Sequence, residues 1–292
     1  MERVRPLASD QEALARALAD GDGTAVEPRP AATVVVVRDG DGTAGGVETW
    51  LLHRHQGMEF AAGMYVFPGG GVDPRDAELA PELWAGPSAA DWAERLDCPP
   101  EQARELVCAA VRETFEETGV LLAGTPDAVV TDTTSADWEA DRAALESHAL
   151  SLAELLTRRG LVLRTDLLAG MSCWVTPPMR PRRYRTWFFV ARLPEGQVAR
   201  DVSTESDHVG WHSMRAALGE VVAGRMTMLP PTYATLAELY DATTPESAVK
   251  LAREVPWQVV EPYFDADAGG LVVPEHLNEL AERVVARLQA DT

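Results

Sequence analysis

The stretch Val107–Val120 constrains the fold of this chain more than any other. It runs Val-Cys-Ala-Ala-Val-Arg-Glu-Thr-Phe-Glu-Glu-Thr-Gly-Val and reads as the end of a helix, because Gly119 supplies the left-handed residue that stops one. At about 100° per residue, Glu113, Glu116 and Glu117 fall within about one third of the circumference, with Val107, Val111 and Phe115 opposite. Such a helix buries one face and presents three carboxylates together on the other. Crowded carboxylates resist ionising together unless a cation sits among them. Oxygen ligands without Cys or His favour Mg²⁺ or Mn²⁺ over zinc. A solvated acidic helix face produces the same pattern, so periodicity alone leaves both readings open. Arg112 stands ready to pair with one of the carboxylates.

The 292 residues, 46% of them hydrophobic, are enough for a substantial core. Formal net charge is −20, from 46 acidic against 26 basic residues. Nucleic-acid backbone would be repelled by so acidic a surface, so a nucleic-acid partner is not expected. Small anionic substrates remain open where metal ions or local arginines screen them. Cys98, Cys108 and Cys173 show no Cys-x-x-Cys spacing, which argues against a zinc site or a disulfide framework and points to a reducing cytoplasm. Met1–Arg5 leads into a polar helical pattern rather than a signal-peptide core. No apolar run reaches membrane-spanning length, so no membrane partner is expected.

Along the chain, a short helix is expected over Gln11–Asp20, then a Gly/Pro-bearing linker to Pro30. Strands are expected at Ala31–Arg38 and Val47–His53, joined by a turn through Asp39–Gly46, and at Tyr65–Phe67 before Pro68-Gly69-Gly70-Gly71. Residues 73–98, with three prolines, read as an inserted surface segment. Asp97 is a candidate cap for a helix ending at Gly119, and Val120–Leu122 reads as a strand. Ala136–Arg159 reads as a helix broken once, within a second insertion. Strands follow at Met171–Thr176, Tyr184–Leu193 and Val209–Trp211, then helices from Ser213 to about Val222 and over Pro230–Tyr240. A terminal amphipathic helix, Pro274–Gln289, carries Leu277, Leu280, Val284 and Leu288 as one stripe for the core or a dimer contact.

Arg112-Glu113-Thr114-Phe115-Glu116-Glu117-Thr118-Gly119-Val120 resembles the second half of the Nudix box, Arg-Glu-apolar-x-Glu-Glu-x-Gly-apolar, with Thr114 as a mild departure. Phe67-Pro68-Gly69-Gly70 resembles the approach to its first half. In the usual box that glycine lies fourteen residues before the arginine; Gly70 and Arg112 are 42 apart, so the box is split. The further glutamate of the box, eight residues before the arginine, is Arg104 here, with Glu105 or Glu101 as substitutes. A split of this kind resembles the coenzyme A diphosphatase-like branch, as do Trp174-Val175-Thr176-Pro177, Arg183–Phe189 and Leu229–Thr232. Of the coenzyme A motif of another branch, Arg54 and Gly63 fit and Glu59 does not.

The resemblance implies an α/β Nudix fold, a mixed sheet sandwiched between helices, with helical insertions and a C-terminal helical extension. The domain would span 31–240, with insertions at about 73–98 and 124–165, after an N-terminal helix and linker (1–30) and before the extension (241–292). It implies a Mg²⁺- or Mn²⁺-dependent hydrolase of a phosphoanhydride in a nucleoside diphosphate linked to another group, coenzyme A or acyl-coenzyme A being the branch's substrates. The alternatives are other nucleotides (NADH, ADP-ribose, oxidised triphosphates) or a ligand sensor without turnover. Glu113, Glu116, Glu117 and Gly70 would hold metal. Arg112 would orient the cluster, and Glu113, Glu116 or the loop residue Glu205 would be the base. Arg54, Gly69, Gly70 and Arg183 would bind substrate. Tyr65, Trp174 and Trp187 are candidates to stack a base, buried aromatics being the commoner case. Family members often pair as homodimers, with the segment after Tyr240 available for that purpose.

Overall fold

The computed structural model describes residues 4–5, 9–19, 21, 24–40, 46–58 and 60–290. Asp20, the tip of the expected turn at 41–45, and Glu59 lie outside the described residues.

The strand Arg29–Asp39 organises the rest. Its Val34-Val35-Val36-Val37 run is fully buried, and strand geometry sends alternate side chains to opposite faces. Val34 and Val36 enter a core with Trp187, Phe189 and Phe115. Val35 and Val37 enter another with Phe188, Val190 and Leu236. A strand apolar on both faces must lie inside a sheet covered on both sides. Arg29–Asp39 accordingly pairs in parallel with Tyr184–Arg192 and antiparallel with Val47–Arg54. The mixed sheet continues outward through Leu168–Val175 and Val259–Val260 on one side and Ser206–Ser213 on the other. Two short strands, Tyr65–Val66 and Gly69–Gly71, attach to Val47–Arg54 and Arg29–Asp39.

The long helix Pro100–Thr118 covers the first core, and Gly119 ends it in the left-handed conformation, its N–H bonded to the Phe115 carbonyl. The second face is covered by Met214–Val222, Pro230–Glu238, Pro245–Glu254 and Glu275–Ala290. In the last of these Leu277 and Val284 are buried, and Leu280 and Leu288 pack beside them; the apolar stripe is spent on the chain's own core. Among the described residues no helix is long and apolar enough to cross a membrane, and the three cysteines are free.

Three local expectations need correction. Residues 73–98 are not a surface excursion. Helix Ala89–Leu96, opened by a Ser88/Asp91 capping box, buries Trp92 and Leu96 against the long helix, and Trp187 Nε1 donates to the Leu96 carbonyl at 3.0 Å. Asp97 stops that helix in the left-handed region (φ 50°) instead of capping the next, which starts after Pro99 without a side-chain cap. Val120–Leu122 is buried but forms no strand; the Leu121 N–H is taken by the Gln197 side chain, and the strand is Ala123–Gly124. The broken helix is found as Ala136–Glu146 and Leu152–Arg159.

Candidate active site

The glycine turn and the long helix meet through close backbone approach. Gly69, Gly70 and Gly71 pair with Thr33, Ala32 and Ala31. The turn therefore hangs from the central strand while facing the acidic side of the helix. The Gly69 N–H donates to Glu117 Oε2 at 2.8 Å. A Cβ on Gly70 would lie 2.5 Å from both Glu113 carboxylate oxygens, so the Glu113 carboxylate would have to leave the position in which Arg112 holds it. Glycine at 70 is what lets the turn and the carboxylate share the space.

Arg112 ties the cluster together. Its guanidinium donates from Nη1 to Glu113 Oε1 (2.8 Å) and Glu116 Oε2 (3.1 Å), and from Nη2 to the Gly71 carbonyl (2.8 Å). From Nε and Nη2 it also grips both oxygens of Asp76 at 3.0 Å. Asp76, and not Glu105 or Glu101, is therefore the further acid on the arginine. An acid eight residues before the arginine in an unsplit box lies six after the glycine, and six after Gly70 is Asp76. The interruption thus falls after this acid, not before it. The local signal was Asp73-Pro74-Arg75-Asp76, a capping box in which the Asp76 side chain accepts from the Asp73 N–H. Asp76 and Arg112 are both buried.

Electrostatics follow from this crowding. Burial pushes the Glu113 carboxyl above its usual range, with Arg112 pulling it back. Glu116 is raised to about 7 by burial, against the pull of Arg112 and with the push of Glu113. Glu117 is raised well above the usual range by burial and by the neighbouring Glu113. Arg112, paired with Asp76 and flanked by Glu113 and Glu116, is held protonated.

Among the described residues no three His, Cys, Asp or Glu side chains converge as a ready cation cage. Glu113 and Glu116 face Arg112, and Glu117 turns to the Gly69 amide. The donor set nonetheless fits a hard divalent cation. Glu116 Oε1 is buried with no hydrogen-bond partner in the protein, and the three raised carboxyls are those an added positive charge would return to the ionised form.

Glu113 and Glu117 line a cavity of about 1300 Å³ together with Gly69, Gly70, Arg54 and Glu205. Glu205 arrives at the end of the strand Ser206–Ser213: a register shift between Ser206 and His208 releases Asp207 to His53 Nδ1 (2.5 Å). The Glu205 carbonyl accepts from the His55 N–H, and its carboxylate accepts from Arg54 Nη2 at 2.7 Å. Arg54 and Glu205, expected separately, form one pair at the cavity wall. Arg183 is the expectation the structure does not support. Its guanidinium is buried and donates to the Thr176 and Val26 carbonyls and to Glu261 (2.6 Å), away from the cavity. Trp187 is likewise sealed in the core, while Trp174 and Tyr184 line the cavity. Tyr65 packs between His53 and His212.

The chain matches the NUDT19 Nudix domain family over residues 87–239. A solved structure, the NUDIX hydrolase from Alicyclobacillus acidocaldarius, is 30% identical and superposes with a TM-score of 0.66, covering 77% of this chain and 96% of that one. The acyl-coenzyme A diphosphatase NUDT19 of Xenopus laevis is 24% identical over 226 residues, 66% of this chain and 59% of the relative. Nudix hydrolase 7 of Caenorhabditis elegans is 25% identical over 236 residues, 80% of this chain and 65% of the relative. The chain spans less than two thirds of the length of these two relatives.

Proposed function

This chain belongs to the Nudix hydrolase family, and from that premise we propose that it is a divalent-metal-dependent diphosphatase cleaving the phosphoanhydride of a nucleoside diphosphate linked to another group. Coenzyme A and its thioesters are the substrate class we favour, because a relative bears the name acyl-coenzyme A diphosphatase and the cavity is large. The observation that carries the reading is the convergence, on one cavity, of Glu113 and Glu117 from the helix, Gly69 and Gly70 from the glycine turn, and Glu205 from the turn before the strand Ser206–Ser213.

In this reading Glu113, Glu116 and Glu117, with the backbone at Gly70, hold Mg²⁺ or Mn²⁺. When bound, such an ion screens the phosphate charge and lowers the pKa of a water. Arg112 keeps Glu113 and Glu116 at a fixed separation by donating one Nη1 to both. The Gly69 N–H fixes Glu117 Oε2. Glu205 acts as general base: Arg54 occupies Oε2, leaving Oε1 to accept the proton of the attacking water. Arg54 then offers its remaining donors to a substrate phosphate.

The test is hydrolysis of coenzyme A, NADH, ADP-ribose, diadenosine polyphosphates and oxidised nucleotides with Mg²⁺ or Mn²⁺, by wild type and Glu116→Gln. Turnover of one substrate, lost in Glu116→Gln with the fold retained and lost in EDTA, is the expected result. An unchanged rate in the variant would remove Glu116 from the metal site. Tight binding of one compound with hydrolysis of none would make the protein a ligand sensor instead.

A further inference from the structure

The end of the strand Val47–Arg54 and the residue after it hold the segment that carries Glu205 at successive positions. His53 Nδ1 meets Asp207 Oδ1 at 2.5 Å, Arg54 Nη2 donates to Glu205 Oε2 at 2.7 Å, and the His55 N–H donates to the Glu205 carbonyl at 3.2 Å. An ionised carboxylate only accepts, so Nδ1 carries the hydrogen in the first of these. That bond also holds the Asp207 carboxyl below its usual range. The His53 ring packs on Tyr65, its ladder partner on the short strand Tyr65–Val66, with ring centroids 4.8 Å apart.

Asp207 is the residue the ladder has to spare. His208 stands opposite His53 and Ser206 opposite Arg54, so two steps on one strand match one step on the other. A bulge leaves its extra residue without a ladder partner; here the side chain of that residue takes His53 instead. In an unbroken ladder Asp207 would face Arg54 and Ser206 would face His55, which moves Glu205 along by one strand rise, about 3.3 Å. The Glu205 N–H to Ser203 Oγ (3.3 Å) and Thr204 Oγ1 to Glu146 Oε1 (3.0 Å) tie down the approach to Glu205, but not its register on Val47–Arg54. Neither His53 nor Asp207 lines the cavity, so the pair reaches the reaction only through its neighbours Arg54 and Glu205.

We propose that His53 and Asp207 are positioning residues, whose bond fixes the bulge and so holds the Glu205 carboxylate within reach of the attacking water. This rests on the reading of Glu205 as general base. Steady-state hydrolysis by the full chain with Mg²⁺ tests it, using coenzyme A, NADH, ADP-ribose, diadenosine polyphosphates and oxidised nucleotides as substrates. The variants are Asp207→Ala, Asp207→Asn, Glu205→Gln and the Asp207→Ala, Glu205→Gln double variant. Asp207→Ala should lower kcat by about ten- to a hundredfold, as misplacing a reacting group by an ångström or more does, with KM within about twofold of wild type. Asp207→Asn keeps an acceptor for Nδ1 and should recover most of that loss. In the Glu205→Gln background Asp207→Ala should cost nothing more, because two changes acting through one group do not add. Asp207→Ala should keep the urea midpoint of wild type, since a partly exposed ion pair adds little to stability. A wild-type kcat in Asp207→Ala, or the same fold-loss in both backgrounds, overturns the proposal and leaves the base reading standing. A wild-type rate in Glu205→Gln, or turnover of none of the compounds, strikes the base reading and the proposal together.

Discussion

Removal of Asp76 tests the link between the interrupted segment and the acidic helix. The Arg112 and Asp76 side chains are 4% and 2% exposed, and the pair is held by two 3.0 Å contacts. Taking one partner from a buried pair costs about 3–5 kcal/mol, because the other charge is left uncompensated. Arg112 keeps Glu113, Glu116 and the Gly71 carbonyl, which draws the cost toward the lower end of that range. Asp76→Ala also strips the acceptor from the Asp73 N–H, a loss of about 1 kcal/mol for a capping contact. The sum is a destabilisation of about 4 kcal/mol, read as a lower urea midpoint at constant m-value. Asp76→Asn, which keeps the volume and an acceptor for Asp73, should lose less. Both variants should lower kcat by about a hundredfold, since Arg112, still bonded to Glu113 and Glu116 but released from Asp76, no longer fixes their position to within a fraction of an ångström. An Asp76→Ala protein within about 1 kcal/mol of wild type, at the same m-value, would refute the reasoning.

Gly70→Ala places a methyl 2.5 Å from the Glu113 oxygens, so hydrolysis should fall by about a hundredfold with a smaller loss of melting temperature; an unaffected rate would show that Glu113 can move freely. Glu238 supplies a pH test away from the acidic cluster. Burial raises its carboxyl to about 7, against the Gln258 amide that donates to it at 2.9 Å. A folded-state pKa above the unfolded one gives stability that is complete below the unfolded pKa of about 4.5 and lost as pH rises through about 7. Glu238→Gln should remove that loss, so its stability relative to wild type should grow by about 2–3 kcal/mol between pH 4.5 and 8. Parallel pH profiles for the two proteins would contradict it.

Much of the site was legible because helix and strand periods are local. The spacing of Glu113, Glu116 and Glu117, the apolar face at Val107, Val111 and Phe115, and the Gly119 stop follow from residues within a few turns of one another. The alternation at Val34–Val37 needed only the pleat of a strand. Those features the amino-acid sequence determined by itself.

Choice of partner was decided by tertiary structure. Four arginines stand within residues 180–185, and no local rule says which of them line the cavity. Packing gave Arg183 to Glu261 and left Arg180 on the wall. Asp76 reaches Arg112 across 36 residues, because the intervening segment folds Trp92 and Leu96 inward and brings its own start against the helix. Glu205 meets Arg54 through a one-residue bulge that the hydrophobic pattern does not encode. A periodic pattern specifies which way a side chain points from its own backbone, whereas an ion pair between distant segments depends on where the rest of the chain has been packed.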